Sequence, residues 1–289
     1  MLRASLALLA VMLASTLQAQ QLLVKSYGQE LVDQTLAKHP EVLVVVMHVA
    51  TTDAKAYPII ASNIGRIGKP ADDDDMRVVT TGESNLEVAH GGQRFEVEIA
   101  MHDVAGETIG ALGLVFPYRN GVDKNLLEKK GIAIRDWLAS RTLNAASLAE
   151  PHPYQPLATT KTHAQKLLDA TLARHRDIIA LAMHVTPPDA SDNIIIASNF
   201  GRIGKKGDAD DMKVVDAGTP IVGVYAAGKR YGVELPLHDA SAKIIGALSV
   251  GFRYIKGDDE KRNLANATKI RDELAKATPS IESLTELDP

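Results

Sequence analysis

Two short segments carry the residues best suited to contact a small molecule. The first has the pattern Ser-Asn-x-Gly-Arg-Ile-Gly-Lys from Ser62 to Lys69, and the second repeats it from Ser198 to Lys205. Two glycines would let backbone N–H groups face inward, while the arginine offers a fork and the lysine a point charge to a carboxylate. This composition suits a small anion, and a structural turn with two solvated cations is the alternative interpretation.

Four histidines form the second group. His48 and His184 lie near the ends of apolar runs, so we expect each to be at least half buried, either bonded to backbone or in contact with a ligand. His102 and His238 each precede an aspartate, but adjacent strand residues point to opposite faces, which disfavours a catalytic His-Asp pair. The predicted ligand-binding residues are His48, Asn63, Arg66, Lys69, His102, His184, Asn199, Arg202, Lys205 and His238.

A metal or haem site is an open alternative. His48, His102 and a carboxylate such as Glu98 have suitable chemistry for a divalent metal, or for an axial histidine. The sequence has no closely spaced histidine pair to support this, and the Asp-rich segments 72–75 and 208–211 lack the spaced ligands of a calcium loop. We predict that these aspartates begin helices instead. Cofactor fingerprints and a nucleophile elbow are missing from the sequence, so we expect neither a cofactor nor catalysis.

These residues occur twice because the second half of the chain repeats the first. His48 recurs as His184 and His102 as His238, each 136 positions later. Roughly two positions in five are identical over about 110 residues, enough for each copy to be a domain with its own core. We predict a signal peptide at 1–19, a first module at 20–149, a linker at 150–160, a second module at 161–278 and a polar tail at 279–289.

Both copies contain the same predicted elements in the same order. An amphipathic helix precedes an apolar strand, a second strand, a Gly- and Asp-rich loop, a hairpin, a last strand and a closing helix. The nearly continuous apolar run at 42–49 indicates a strand buried on both faces, in the middle of its sheet. The fold class is therefore α+β, with one antiparallel sheet flanked by helices in each copy.

The run His-Asp-Val-Ala-Gly-Glu-Thr-Ile-Gly-Ala-Leu-Gly at 102–113 resembles the β-hairpin of Cache domains, the extracytoplasmic relatives of PAS domains. Copy two has a similar run at 238–249, and the segments 60–69 and 196–205 are similar to the strand-to-loop segment of single Cache modules. The resemblance implies two tandem PAS-like modules, each with a solute pocket between its sheet and the neighbouring loop and helix. The aromatic and aspartate pattern of amino-acid-binding members is missing, so the ligand class is not carried over.

Residues 1–19 have the layout of a secretory signal peptide. Arg3 precedes an apolar run from Leu6 to Leu17 that is too short to span a bilayer, and small residues end at Ala19. Leu17 stands where cleavage prefers a small residue, so a retained N-terminal anchor is the alternative. The chain contains no cysteine and has a formal net charge of −4. We expect a periplasmic or secreted protein without disulfides, for which nucleic acid is not a partner.

The sequence thus predicts an exported protein that binds a small organic solute, with an anion as first candidate, in PAS-like pockets and without catalysis. A membrane protein is a candidate partner to receive the solute. Two other hypotheses stay open. One is a periplasmic metal- or haem-binding protein that uses the repeated histidines, and the other is a structural tandem whose cores are filled by side chains.

Overall fold

The first half of the chain folds around a five-stranded antiparallel sheet in the computed structural model, which describes residues 25–50 and 56–288. Its elements are helix α1 (Tyr27–Lys38), strands β1 (Val44–Val49) and β2 (Ile59–Ser62), helix α2 (Asp73–Thr81), strands β3 (Asn85–Ala89), β4 (Arg94–His102) and β5 (Thr108–Pro117), and helix α3 (Lys124–Ala139). The strands lie in the order β2-β1-β5-β4-β3. Strand β1 is therefore an inner strand, which confirms the prediction from its apolar run.

The second half has a sheet with the same strand order. Its elements are α4 (His163–Arg174), β6 (Ile178–Val185), β7 (Ile194–Ser198), α5 (Ala209–Ala217), β8 (Ile221–Tyr225), β9 (Arg230–His238), β10 (Ile244–Arg253), α6 (Glu260–Lys276) and α7 (Ile281–Thr285). The order is β7-β6-β10-β9-β8. The protein is therefore α+β, with two antiparallel five-stranded sheets flanked by helices, as the sequence predicts.

One face of each sheet packs against the first and last helices of its half. Leu31 of α1 and Ile134 of α3 are buried there against Leu112 of β5. The second core repeats this arrangement, with Leu168 of α4 and Leu248 of β10 fully buried. Burying each such side chain contributes about 1.5–3 kcal/mol before the entropy cost. The opposite face of each sheet is left to carry polar residues.

A glycine allows the two central strands of each sheet to approach. Gly110 of β5 pairs with Val49 of β1, and a Cβ at position 110 would overlap the carbonyl oxygen of His48. Gly246 stands in the same relation to His184. The Ile-Gly-x-Leu motif of the sequence is therefore a packing requirement beside the two buried histidines.

Residues 279–288, predicted as a polar tail, belong to the second core. Ser280 caps α7 by accepting the N–H of Ser283, and Leu284 is fully buried. Leu148 occupies the same place in the first core. The polar composition of the segment concealed one buried leucine, so the prediction of a tail was wrong for the part of it that the structure describes.

The predicted linker is bonded to both halves of the chain. The Tyr27 N–H donates to the carbonyl of Glu150 at 2.8 Å, and the Tyr154 N–H donates to the carbonyl of Ile203 at 2.8 Å. Over residues 25–50 and 56–288, no helix is both long and apolar enough to cross a membrane. The predicted signal peptide lies outside the described residues.

Leu284→Ala should lower the free energy of unfolding by about 2–5 kcal/mol, because it leaves a cavity in a closed core. Leu287→Ala is the matched control, since Leu287 is 73% exposed and its truncation should cost less than about 0.5 kcal/mol. Urea denaturation followed by circular dichroism measures both. Equal effects for the two variants would show that the segment does not contribute to the core.

Candidate functional site

A cavity of about 490 Å³ lies on the polar face of the first sheet. Alternation along β1 directs Val45 and Met47 into the core and His48 towards the cavity. The loop before α2 and the start of α2 form the opposite wall. The titratable residues of the lining are His48, Arg66, Lys69, Asp72, Asp74, Asp75, Glu87, His90, Arg94, Glu96 and Glu98.

The second sheet carries a cavity at the equivalent position, with a volume of about 220 Å³. Phe200 and Tyr225 line it where Ile64 and Ala89 line the first cavity. Leu143, a residue from the first half of the chain, also lines it. The two cavities therefore share a plan but differ in size and in how far they are covered.

A buried imidazole and a buried carboxylate meet in the first cavity. His48 Nε2 lies 3.4 Å from Asp75 Oδ2, and His48 Nδ1 lies 3.0 Å from the carbonyl oxygen of Tyr57. Because that carbonyl can only accept, Nδ1 carries a proton and Nε2 faces the carboxylate. Burial raises the pKa of Asp75, against the opposing effects of the Asp72 N–H and of His48. The contact joins the central strand β1 to the start of α2 inside the cavity.

Asp75 also has the capping role predicted from the sequence. Asp72 accepts the Asp75 N–H at 3.4 Å while Asp75 accepts the Asp72 N–H at 3.0 Å, a reciprocal capping box at the start of α2. Asp208 and Asp211 form the same box at the start of α5. The caps fix the helices, and the contact with the histidine adds a second role that the sequence did not predict.

The second cavity contains a longer row of neighbouring polar side chains. His184 Nδ1 lies 3.3 Å from Asp211 Oδ2, and its Nε2 lies 3.1 Å from Ser249 Oγ. Ser249 Oγ donates to Glu234 Oε2 at 2.6 Å. Burial lowers the pKa of His184 and raises that of Asp211, and the charge of each partner opposes the shift of the other. Gly113 replaces Ser249 in the first half, so this bridge is particular to the second cavity.

Glu98 and Glu234 occupy equivalent positions on β4 and β9, and each lines the cavity of its own sheet. Glu98 lines the first cavity and accepts from Asn85 Nδ2 at 2.8 Å. Burial, assisted by the charges of Asp75 and Glu96, raises its pKa to about 7. Burial and the charge of Asp211 likewise raise the pKa of Glu234 to about 7. The feature of the sequence that indicates this role is a glutamate at equivalent positions of the two halves, on the strand face that lines the cavity.

The predicted anion-binding pair has different partners in the two halves. Arg66 and Lys69 are exposed at the mouth of the first cavity, where Lys69 Nζ lies 3.5 Å from Asp72. Arg202 instead contacts the carboxylate of Glu150 through Nε and Nη2, both at 2.8 Å. Lys205 Nζ lies 3.8 Å from the same carboxylate. The fork predicted to bind a carboxylate therefore binds one supplied by the chain itself.

Asn63 and Asn199, which were predicted as ligand contacts, bond to the backbone of the neighbouring strand. Asn63 Oδ1 accepts the Val45 N–H at 2.9 Å, and its Nδ2 donates to the carbonyl of Leu43 at 3.0 Å. Asn199 makes the same two bonds to β6, and also donates to the carbonyl of Ser140 at 2.8 Å. Both asparagines position the loop and lie outside the two sheet cavities, and Asn199 lines the cavity between the two halves.

His102 lies in a different cavity from His48, with which it was grouped as a candidate metal ligand. His48 borders the cavity of the first sheet, whereas His102 borders a cavity of about 660 Å³ between the two halves. Burial lowers the pKa of His102 and of His238, and His238 lies outside both sheet cavities. Within the described residues, no group of three His, Asp or Glu is arranged to hold a metal ion. The predicted constellation of His48, His102 and Glu98 is therefore not assembled.

The charged residues that line the first cavity disfavour a simple anion as its ligand. Its lining contains six carboxylates, in Asp72, Asp74, Asp75, Glu87, Glu96 and Glu98. Three permanent cations, Arg66, Lys69 and Arg94, oppose them. Burial raises the pKa of Glu96 as well, and the charge of Glu87 adds to this. The cavity therefore combines an acidic interior with cations that include two at its mouth.

No protein-family model matches the chain, and no curated protein matches it. Among solved structures, it is similar to the nlh2 GAF domain of A. aeolicus in an inactive state, with 14% identity over 39% of this chain and 77% of that one, at a TM-score of 0.29. It is also similar to the inducer-binding domain of the PobR transcription factor from Acinetobacter in complex with 3-hydroxybenzoic acid, with 12% identity, coverage of 40% and 97%, and a TM-score of 0.28. A third is the E. coli DhaR(N)–DhaL complex, with 10% identity, coverage of 79% and 85%, and a TM-score of 0.30. At these scores the likenesses define neither a family nor an activity.

Glu234→Gln should raise the free energy of unfolding above pH 7 and change it little near pH 4. In the unfolded chain Glu234 ionises near its usual pKa of 4.5, whereas in the folded protein it keeps its proton up to about pH 7. The wild type therefore loses stability as pH rises from 4.5 to 7, by up to about 3 kcal/mol. Glutamine stays neutral and can still accept from Ser249.

Urea denaturation at a series of pH values tests this, with Glu83→Gln in an exposed loop as the control. A difference between the Glu234 variant and wild type that does not depend on pH would contradict the assignment.

Proposed function

We propose that this protein binds small organic solutes in the cavities of its two sheets. The observation that supports the proposal is an arrangement of buried ionisable groups that occurs in both halves. In each half a buried His–Asp pair and a carboxyl group with a pKa of about 7 line a cavity on the sheet face opposite the core. Buried ionisable groups destabilise a fold unless they are paired, so their presence in both cavities favours a binding role.

The distribution of charge supports a zwitterionic solute for the first cavity. Asp75 and Glu98 in the interior would accept a protonated amine, and Arg66 at the mouth would bind a carboxylate with its planar fork. A volume of about 490 Å³ accommodates a molecule of metabolite size. This proposal keeps the carboxylate predicted from the loop and adds the amine that the acidic interior requires.

The second cavity would bind a smaller solute. Its volume is about 220 Å³, and Arg202 already contacts the carboxylate of Glu150. Glu234 and Asp211 remain as acceptors in its interior. We therefore infer an amine-bearing solute without a required carboxylate, so the two halves would differ in ligand.

Binding without catalysis is the reading that the second cavity supports. Asp211, His184 and Ser249 stand in the order of a serine-hydrolase triad. However, the single hydroxyl proton of Ser249 is donated to Glu234 at 2.6 Å whenever that carboxylate is ionised. Above about pH 7, where Glu234 is ionised, the histidine therefore cannot act as the base that activates the hydroxyl.

We further propose that the chain is exported and that its two halves are tandem Cache modules. Support comes from the signal-like residues 1–19, from the repeated Cache-like hairpin at 102–113 and 238–249, and from the strand order shared by the two sheets. In this setting the protein would capture its solute outside the cytoplasm and present it to a membrane-protein partner.

Solutes with an amine and a carboxylate should raise the melting temperature of the purified chain, because binding to the native state stabilises it by RT ln(1 + [L]/Kd). Native mass spectrometry identifies a co-purified molecule, and calorimetry gives its affinity. Affinity for the first cavity should increase as pH rises through 7, since Glu98, with a pKa of about 7, must lose its proton to pair with the amine.

Glu98→Gln and Arg66→Ala should each weaken that binding by at least about tenfold, because each removes one charged partner of the solute. Glu83→Gln, at an exposed loop position, is the matched control. The zwitterion proposal fails if carboxylates without an amine bind equally well and Glu98→Gln leaves the affinity unchanged.

A further inference from the structure

The same loop is exposed in the first half and covered in the second. Ile64 and Ile67 are 43% and 61% exposed, whereas their counterparts Phe200 and Ile203 are 7% and 1% exposed. The intervening glycines differ in the same way. A Cβ on Gly201 would lie 2.8 Å from the ring of Tyr27, whereas nothing lies within 4 Å of that point at Gly65.

Apolar residues from the first half cover the second loop. Val104, which follows β4, and Leu143, which follows α3, are buried in one cluster with Ile195, Phe200 and Ile203. We call the loop with its adjoining sheet face the front surface of a module, at residues 63–69 and 199–205. The back surface of a module consists of the turn after β4 or β9 and the segment after the last long helix. It comprises residues 104–107 and 140–152 in the first module, and residues 240–243 and 276–288 in the second. Within the chain, the back surface of the first module binds the front surface of the second.

Polar contacts give this interface its specificity. Glu150 on the back surface makes two bonds of 2.8 Å to Arg202 on the front surface and lies 3.8 Å from Lys205. Asn199 Nδ2 donates to the carbonyl of Ser140 at 2.8 Å. A bidentate contact of this kind fixes orientation as well as adding energy.

The 136-residue repeat places counterparts of these groups at the two ends of the molecule. Glu286 stands at the position of Glu150 and is exposed on the back surface of the second module. Arg66, Lys69 and Asn63 stand at the positions of Arg202, Lys205 and Asn199 on the front surface of the first module. Pro279 and Ala240, both exposed, replace Leu143 and Val104. One end of the chain thus carries the acid of the internal contact, and the other end carries the cations.

We propose that the back surface of the second module in one copy of this chain binds the front surface of the first module in another copy, repeating the internal contact head to tail. The two surfaces are complementary in charge and continue a contact already made within the chain. Because they are different surfaces, the association is heterologous, and it either closes into a ring or extends as a filament.

The intermolecular contact is weaker than the internal one for physical reasons on both surfaces. Proline and alanine bury less apolar area than the leucine and valine they replace. Within the chain, Lys229 forms an ion pair with Glu107. The equivalent residues at the intermolecular contact are Gln93 and Lys243, which cannot form an ion pair with each other. We therefore expect association that depends on concentration in the micromolar range.

Docking would also alter the first cavity, because Glu286 of the neighbouring copy would compete with a solute carboxylate for Arg66. Leu143 lines the cavity of the second module, and its counterpart Pro279 would reach the mouth of the first cavity in a neighbouring copy. The neighbour would therefore cover Ile64, which lines that cavity and is now exposed.

Sedimentation velocity of the purified chain from about 1 to about 200 µM spans the affinities of such an interface and tests the proposal. The average mass should rise with concentration above that of one chain. Glu286→Arg should weaken association at least about thirtyfold, and Arg66→Glu should do the same, because each places like charges together. The double variant that carries both reversals should recover association.

Asp216→Arg, which makes the same change of charge at an exposed position of α5, is the control and should associate like wild type. Thermal melts check that each variant folds. A single-chain mass at every concentration overturns the proposal, as does association that neither charge reversal alters.

Discussion

The carboxylate of Asp75, and of Asp211 in the second half, links the start of a helix to the polar face of the sheet. It closes the capping box that begins a helix and lies within 3.4 Å of a buried histidine on the central strand. Other contacts hold the same parts together. Ile59 exchanges backbone hydrogen bonds with the loop at Gly68 and Lys69, and Val78 of the helix packs against Ala100 and Ala111 of the sheet. The histidine–carboxylate contact adds a polar link inside the cavity to this apolar and backbone support.

Local signals in the sequence predicted the parts of the fold that depend on local physics. The apolar run at 42–49 indicated an inner strand, and the Asp-rich segments indicated helix starts, because burial on two faces and free N–H groups each select residue types. The environment of Glu98 and the burial of Leu284 could not be predicted in this way. Both depend on which surfaces meet in three dimensions, and neither a lone glutamate on a strand nor a lone leucine in a polar segment has a distinctive local pattern.

The two halves show how one loop sequence acquires different partners. The Gly-Arg-Ile-Gly-Lys segment faces solvent in the first half and packs against the preceding half in the second. Its residue types indicated affinity for a carboxylate, and the structure supplies one in Glu150. The chemistry of the arginine was predictable, whereas the source of the carboxylate was not. Ser249 in place of Gly113 adds a further difference, since a hydroxyl fills space and links groups that remain separate in the first cavity.

The position of Glu150 between the two sheets affects how the molecule can be divided. A polypeptide that starts after this residue would carry Arg202 without its carboxylate and would expose Phe200 and Ile203 to water. Such a fragment would expose an apolar patch that is buried in the intact protein. Its ligand specificity would also differ from that of the intact protein, because the entrance of its cavity would be altered. The segment between the halves is therefore part of the structure of the second half. A fragment that begins before Glu150 preserves more of the native environment of Arg202 than one that begins after it.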